Sequence, residues 1–194
     1  MPGPLSLGYT RMRRHLVYLT VAISLLGAGP RLRPAEWGTP VINGRIDNWY
    51  KIDAQVYRSA QPDAEGMKEA ERLGIQNLLN LRNYHADDDE VKGTGLKIVR
   101  VKMEAGDIQD EQIVAALRAI KNAKGPILVH CMHGSDRTGA VIAMYRIIFS
   151  NWSKDAAIDE MVNGGYGFHG IYASIVTYIQ KCDIVKIREQ VDAP

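Results

Sequence analysis

Cys131 and Arg137 are separated by five residues in the stretch His130-Cys131-Met132-His133-Gly134-Ser135-Asp136-Arg137-Thr138-Gly139. A cysteine acts as a nucleophile only as its thiolate, and a free thiol titrates near pH ~8.5. A helix N-terminus and a neighbouring cation lower that value. Arg137 supplies the cation, and its planar fork of donors matches two phosphoryl oxygens. The spacing lets the backbone of residues 132–137 circle an anion and bring both ends of the loop to it. Gly134 permits the backbone angles such a ring demands. These residue types in this order suit the hydrolysis of a phosphate ester through a cysteine nucleophile. Met132, His133, Gly134, Ser135, Asp136 and Arg137 form the candidate phosphate cradle.

The neighbours take supporting roles. Thr138 can hydrogen-bond the sulfur as it leaves a phosphocysteine. His130 holds the loop through its ring nitrogens, and His133 sits on the rim because the amides point inward. Asp136 is the unexpected member, since a carboxylate beside Arg137 lowers the positive potential and disfavours polyphosphates. The loop supplies no proton donor for the leaving oxygen. Glu104, Asp107 and Asp110 precede the next helix, and Asp107 is favoured because Asp110 reads as a helix cap.

The elements around the loop read as follows. Pro126–Val129 is a buried apolar strand and Ala140–Phe149 a helix, so the loop joins a strand to a helix N-terminus. Residues 36–57 form an irregular β element at the sheet edge, with a turn at Asn43-Gly44. A helix spans Pro62–Leu73 and closes at Gly74. Strands follow at Ile75–Leu81 and Leu96–Val101. The run Asp87-Asp88-Asp89-Glu90 reads as a solvated loop or short helix. Helices then start near Ile108 or Asp110 and after Ser153, and a last helical region covers Tyr172–Val191. Strands alternating with helices predict one α/β domain with a central, mainly parallel sheet flanked by helices. The loop then lies at the carboxyl end of its strand, where open α/β sheets bind ligands.

Composition narrows the classes. The chain has 194 residues, enough for one domain with a sizeable core. The formal charge of +2 comes from the first 35 residues, which hold five arginines and no acid. The remaining 19 basic residues face 22 acidic ones, so nothing suggests a nucleic-acid partner. Arg11, Arg13, Arg14 and His15 precede an apolar run from Leu16 to Ala28, shorter than the ~20 residues a spanning helix needs. Residues 1–35 are therefore expected to be a signal peptide or N-terminal anchor, and 36–194 an exported, periplasmic domain. Membrane contact is expected only through that leader if it stays uncleaved. Cys131 sits in the working loop, so a disulfide to Cys182 is not expected.

His130-Cys131-x5-Arg137-Thr138-Gly139 resembles the signature of cysteine-dependent protein tyrosine and dual-specificity phosphatases. Val56-Tyr57-Arg58-Ser59-Ala60-Gln61-Pro62 and Asn80-Leu81-Arg82 resemble the compact dual-specificity-like branch of bacteria and its plant and fungal relatives. Met144-Tyr145-Arg146-Ile147, Trp152-Ser153-Lys154 to Met161, and Gly164-Gly165-Tyr166-Gly167 look closest to the exported bacterial members. The likeness covers about residues 50–170. It implies a phosphocysteine intermediate, no metal, no cofactor, and a phosphotyrosine protein or small phosphate ester as substrate. Cys131, Arg137 and Asp107 would be catalytic, with Arg58 in a supporting position. Plant and fungal relatives suggest inositol pyrophosphates as another substrate. A rhodanese-like sulfurtransferase, a non-catalytic phosphate-binding module and a metal site on His130, Cys131 and His133 are the competing readings.

Overall fold

The computed structural model describes residues 33–42 and 44–194, with Met1 and Gly3. Most of the leader, and Asn43 of the Asn43-Gly44 turn, thus lie outside the described residues. Among those residues no helix is long and apolar enough to cross a membrane. The compact unit begins at Arg33.

Six strands form one sheet: β1 (Thr39–Pro40), β2 (Tyr50–Lys51), β3 (Val56–Ser59), β4 (Asn77–Asn80), β5 (Lys97–Arg100) and β6 (Ile127–His130). Their order is β1-β2-β3-β6-β4-β5. The β3, β6, β4 and β5 neighbours run parallel, and β1 and β2 add an antiparallel edge. This is the expected mainly parallel sheet with an irregular β edge.

The helices are α1 (Ala64–Arg72), α2 (Asp110–Asn122), α3 (Asp136–Phe149), α4 (Lys154–Asn163), α5 (Ala173–Lys181) and α6 (Ile184–Asp192). The last helical region is two helices rather than one. Cys182 ends α5, and the Asp183 side chain accepts from the amides of Val185 and Lys186 to start α6. Cys131 and Cys182 are both free thiols.

Strand alternation sorts the core into two layers. Leu78 and Leu128 face Met67 and Ala70 of α1. Leu79, Ile127 and Val129 face the other side, where α2, α3, α5 and α6 bring Leu117, Ile147, Ile179 and Ile187. Ser59 and Asn80 both stand opposite His130 in register. The central strands therefore end together, and the segments following β3, β4 and β6 leave the sheet side by side. Arg100, at the end of β5, pairs with Asn80. One edge of the sheet thus collects residues 60–62, 81–95, 101–109 and 131–135.

Candidate active site

The loop between β6 and α3 is held from outside through its carbonyls. Gln61 N donates to Met132 O at 3.1 Å. Asn48 Nδ2 donates to His133 O at 2.8 Å. Arg58 Nη2 donates to Gly134 O. With three successive carbonyls turned outward, the amides of the same peptides face the middle of the loop. Ser135 precedes the first turn of α3, whose N–H groups have no partner within the helix. Gly134 has φ +70°, and a Cβ there would lie 2.5 Å from the Ser59 carbonyl carbon. Only glycine meets both demands.

Cys131 is buried at the head of this loop, and Arg137 lies in the first turn of α3. Arg137 lines a pocket of about 260 Å³ with Arg82, Asn83, Tyr84, Glu104, Met132 and Tyr172. Its Nη1 donates to Met103 O at a long 3.5 Å. Thr138 Oγ1 is buried and makes no hydrogen bond among the described residues. That leaves its hydroxyl free for the expected bond to the sulfur, a bond that belongs to the breakdown of the phosphocysteine.

The three candidate carboxylates part company. Glu104 lines the pocket and accepts from Asn83 Nδ2. Asp107 is not among its lining residues. It lines an adjoining groove with Ser174, Thr177 and Tyr178, and accepts from Gln109 Nε2. Asp110 accepts from Tyr178 Oη at 2.9 Å and Lys186 Nζ at 3.1 Å. Sequence order alone could not separate Glu104 from Asp107, which stand at the two ends of one tight turn closed by the bond from Asp107 N to Glu104 O at 3.2 Å.

Asp136 corrects the expectation about pocket charge. It is buried, and its two oxygens take the backbone N of His169 at 2.9 Å and the His169 ring Nδ1 at 2.8 Å. The carboxylate is spent on the Gly167–His169 segment instead of on the phosphate position. His133 is exposed and meets the His169 ring edge-on at 5.4 Å between centroids, a rim position as expected.

Arg58 is fully buried beneath the loop, with its guanidinium 3.7 Å from the centre of the Tyr166 ring. Burial pushes its pKa down to about 10, against the pull of Tyr166, Glu160 and Cys131. Tyr166 has its own pKa raised to about 12, by burial and then by the adjacent Glu160 carboxylate. Its carbonyl accepts from Ser135 Oγ at 2.7 Å and from Asn48 Nδ2 at 2.9 Å. Glu160 in turn pairs with Arg146 at 2.9 Å in the interior. The Gly164–Gly167 break after α4 is therefore a clamp on the phosphate loop, a role that its glycines alone do not reveal.

Asp87 overturns the reading of the acidic run as wholly solvated. Asp88 and Asp89 are exposed, but Asp87 is fully buried. It accepts from His130 Nε2 and from Gln61 Nε2, each at 2.9 Å. His85 Nε2 lies 3.6 Å from Asp87 and 3.1 Å from Glu90. Burial opposes ionisation of Asp87, yet the hydrogen bonds and electrostatic attraction from His130 and the bond from Gln61 outweigh it, holding its pKa below the ordinary value. His85, Asp87 and Glu90 bring ligand-type atoms within 4.8 Å of one another. Both oxygens of Asp87 are already hydrogen-bonded, so the cluster serves as a polar junction. His130 turns to Asp87 while His133 turns to His169, which separates two of the three side chains of the metal alternative.

The profile of the tyrosine phosphatase family matches residues 45–189. The dual specificity protein phosphatase TpbA of Pseudomonas aeruginosa (strain UCBPP-PA14) is 32% identical over 145 residues, which cover 73% of this chain and 65% of that protein. The chain thus matches less than two thirds of that relative's length. The inositol diphosphatase SIW14 of Saccharomyces cerevisiae is 32% identical over 133 residues, 62% of this chain and 47% of that one. Among solved structures, a cysteine-to-serine TpbA in complex with phosphotyrosine superposes with a TM-score of 0.76 at 28% identity, covering 84% of this chain and 100% of that one. The core catalytic domain of SIW14 with citrate gives a TM-score of 0.64 at 28% identity, covering 74% and 90%.

Proposed function

Since this chain belongs to the tyrosine phosphatase family, we propose that it hydrolyses phosphate monoesters, phosphotyrosine first among them, through a phosphocysteine on Cys131. The observation that carries this reading is the loop itself. Its carbonyls are bonded outward, a buried cysteine stands at its head, and Arg137 opens onto a pocket at its rim.

The Cys131 thiolate attacks phosphorus while the P–O bond to the leaving group breaks. Arg137 and the inward amides hold the three non-bridging oxygens as charge builds on them. The leaving oxygen takes a proton from a carboxyl group. Water then attacks the phosphocysteine, the P–S bond breaks, and the proton returns to the carboxylate as orthophosphate leaves. Tyr84, Met132 and Tyr172 give the pocket apolar flanks that suit an aryl ester. The fit to TpbA with phosphotyrosine supports the same preference, and the likeness to SIW14 keeps inositol diphosphates as the second substrate class.

Glu104 lines the pocket and Asp107 lines the groove beside it, which favours Glu104 as the donor. Glu104→Gln is expected to cut turnover of an alkyl phosphate by about 10²–10⁴-fold, with a smaller loss on an aryl phosphate whose leaving group needs less help. Asp107→Asn is expected to stay within about threefold of wild type, well short of a lost general acid. The reverse pattern in steady-state kinetics returns the role to Asp107, and no loss in either variant removes the turn from the mechanism.

The basic and then apolar leader supports export of the domain to the periplasm, either cleaved or held at the membrane. Residues 1–35 fused to a reporter that works only outside the cytoplasm are expected to give signal. A reporter that stays silent, with the fusion intact inside the cell, contradicts export.

A further inference from the structure

The hydrolysis just described makes no use of Asp87, a fully buried carboxylate on the segment that follows β4. Its surroundings have a fixed polarity. Arg82 can only donate, and its Nη1 bonds Gln61 Oε1 at 3.2 Å. The carbonyl end of Gln61 therefore faces Arg82, and its NH₂ end faces Asp87 Oδ1. Asp87 Oδ2 meets His130 Nε2. An ionised carboxylate only accepts, so Nε2 must carry the ring proton. Hydrogen bonding runs in one direction from the pocket wall at Arg82 through Gln61 to Asp87, and from His130 to the same carboxylate.

Each group in this chain belongs to a different segment of the site. Arg82 lines the pocket, and the Gln61 backbone N bonds Met132 O in the phosphate loop. His130 is the last residue of β6, directly before Cys131. Asn80, its neighbour in register, donates to His85 O at 3.1 Å and so shapes the segment that delivers Asp87. We propose that Asp87 is a positioning residue for catalysis, fixing the His130 ring in its Nε2–H form and thereby the backbone from which the Cys131 nucleophile is presented. This rests on the proposed cysteine chemistry, but the arrangement of the His130 proton can be read without any substrate.

Asp87→Asn preserves shape and removes one acceptor. Its NH₂ group must then face a donor, either Gln61 or His130. Arg82 locks Gln61, so the conflict falls on His130, whose proton moves to Nδ1. This is the logic by which a histidine in a catalytic triad is held in one tautomer by its carboxylate. The test is imidazole nitrogen NMR on the full chain, paired with steady-state kinetics on an aryl phosphate. Wild type is expected to show His130 protonated at Nε2. A folded Asp87→Asn is expected to show the Nδ1–H form, with kcat lower by about ten- to a hundredfold and KM within about threefold. Persistence of Nε2–H in the folded variant, or wild-type kcat, overturns the proposal. If that variant does not fold, the wild-type spectrum alone decides, because a neutral His130 protonated at Nδ1 contradicts it. Turnover by wild type that is lost in Cys131→Ser keeps a failure here distinct from a failure of the cysteine mechanism.

Discussion

Cys131→Ser is expected to remove turnover of phosphate monoesters by about 10⁴–10⁶-fold while leaving phosphate-ester binding within about threefold of wild type. The two halves of that expectation come from different atoms. A serine hydroxyl stays protonated at neutral pH with no base beside it, so nucleophilic attack is lost. Binding rests on the amides of residues 132–137 and on Arg137. The bonds that hold those amides inward come from Gln61, Asn48 and Arg58 and end on the carbonyls of Met132, His133 and Gly134, not on the sulfur. Oxygen is also smaller than sulfur, so the buried position accepts it without displacing the apolar neighbours of Cys131. Isothermal titration with phosphotyrosine, beside a turnover assay, reads both halves. Loss of binding together with turnover would mean that the thiolate itself holds the loop.

Arg137→Lys carries the second large effect, an expected loss of about 10²–10³-fold in kcat/KM. The charge is kept, so any loss reports on the fork of donors. Arg137 is carried by the first turn of α3, and among the described residues its guanidinium has only a long bond to Met103 O to restrain it. Its remaining donors are available to a tetrahedral group in the loop. Lysine offers one strongly hydrated point charge and cannot span two phosphoryl oxygens. Inhibition by inorganic phosphate is expected to weaken in parallel. A variant within threefold of wild type would place the transition-state charge on the amides alone.

The loop was legible in the sequence because its chemistry is local. Nucleophile, cradle, cation and helix start all fall within ten residues, and a buried strand in front fixes which edge of the sheet they occupy. The strand and helix periods likewise announced the parallel sheet. What stayed hidden depends on contacts between distant segments. Asp87 shares its run with Asp88 and Asp89, and no local feature marks it as the one that turns inward to His130. Asp136 looked like a charge on the phosphate because Arg137 follows it, yet the first turn of α3 directs its carboxylate to His169. Arg58 carried a family likeness without a contact, and only packing shows it stacked on Tyr166 beneath Gly134. Glu104 lines the pocket and Asp107 the groove beside it, across a tight turn that spacing does not encode.

The central claim is a covalent bond between Cys131 and phosphorus. Mixing the enzyme with an aryl phosphate, quenching in acid within one turnover and mapping the phosphorylated peptide by mass spectrometry tests it directly. The expected result is phosphate on Cys131 in wild type and its absence in Cys131→Ser. Single-turnover hydrolysis that proceeds with Cys131 unmodified at every time point, or phosphate found instead on His133, would contradict the account.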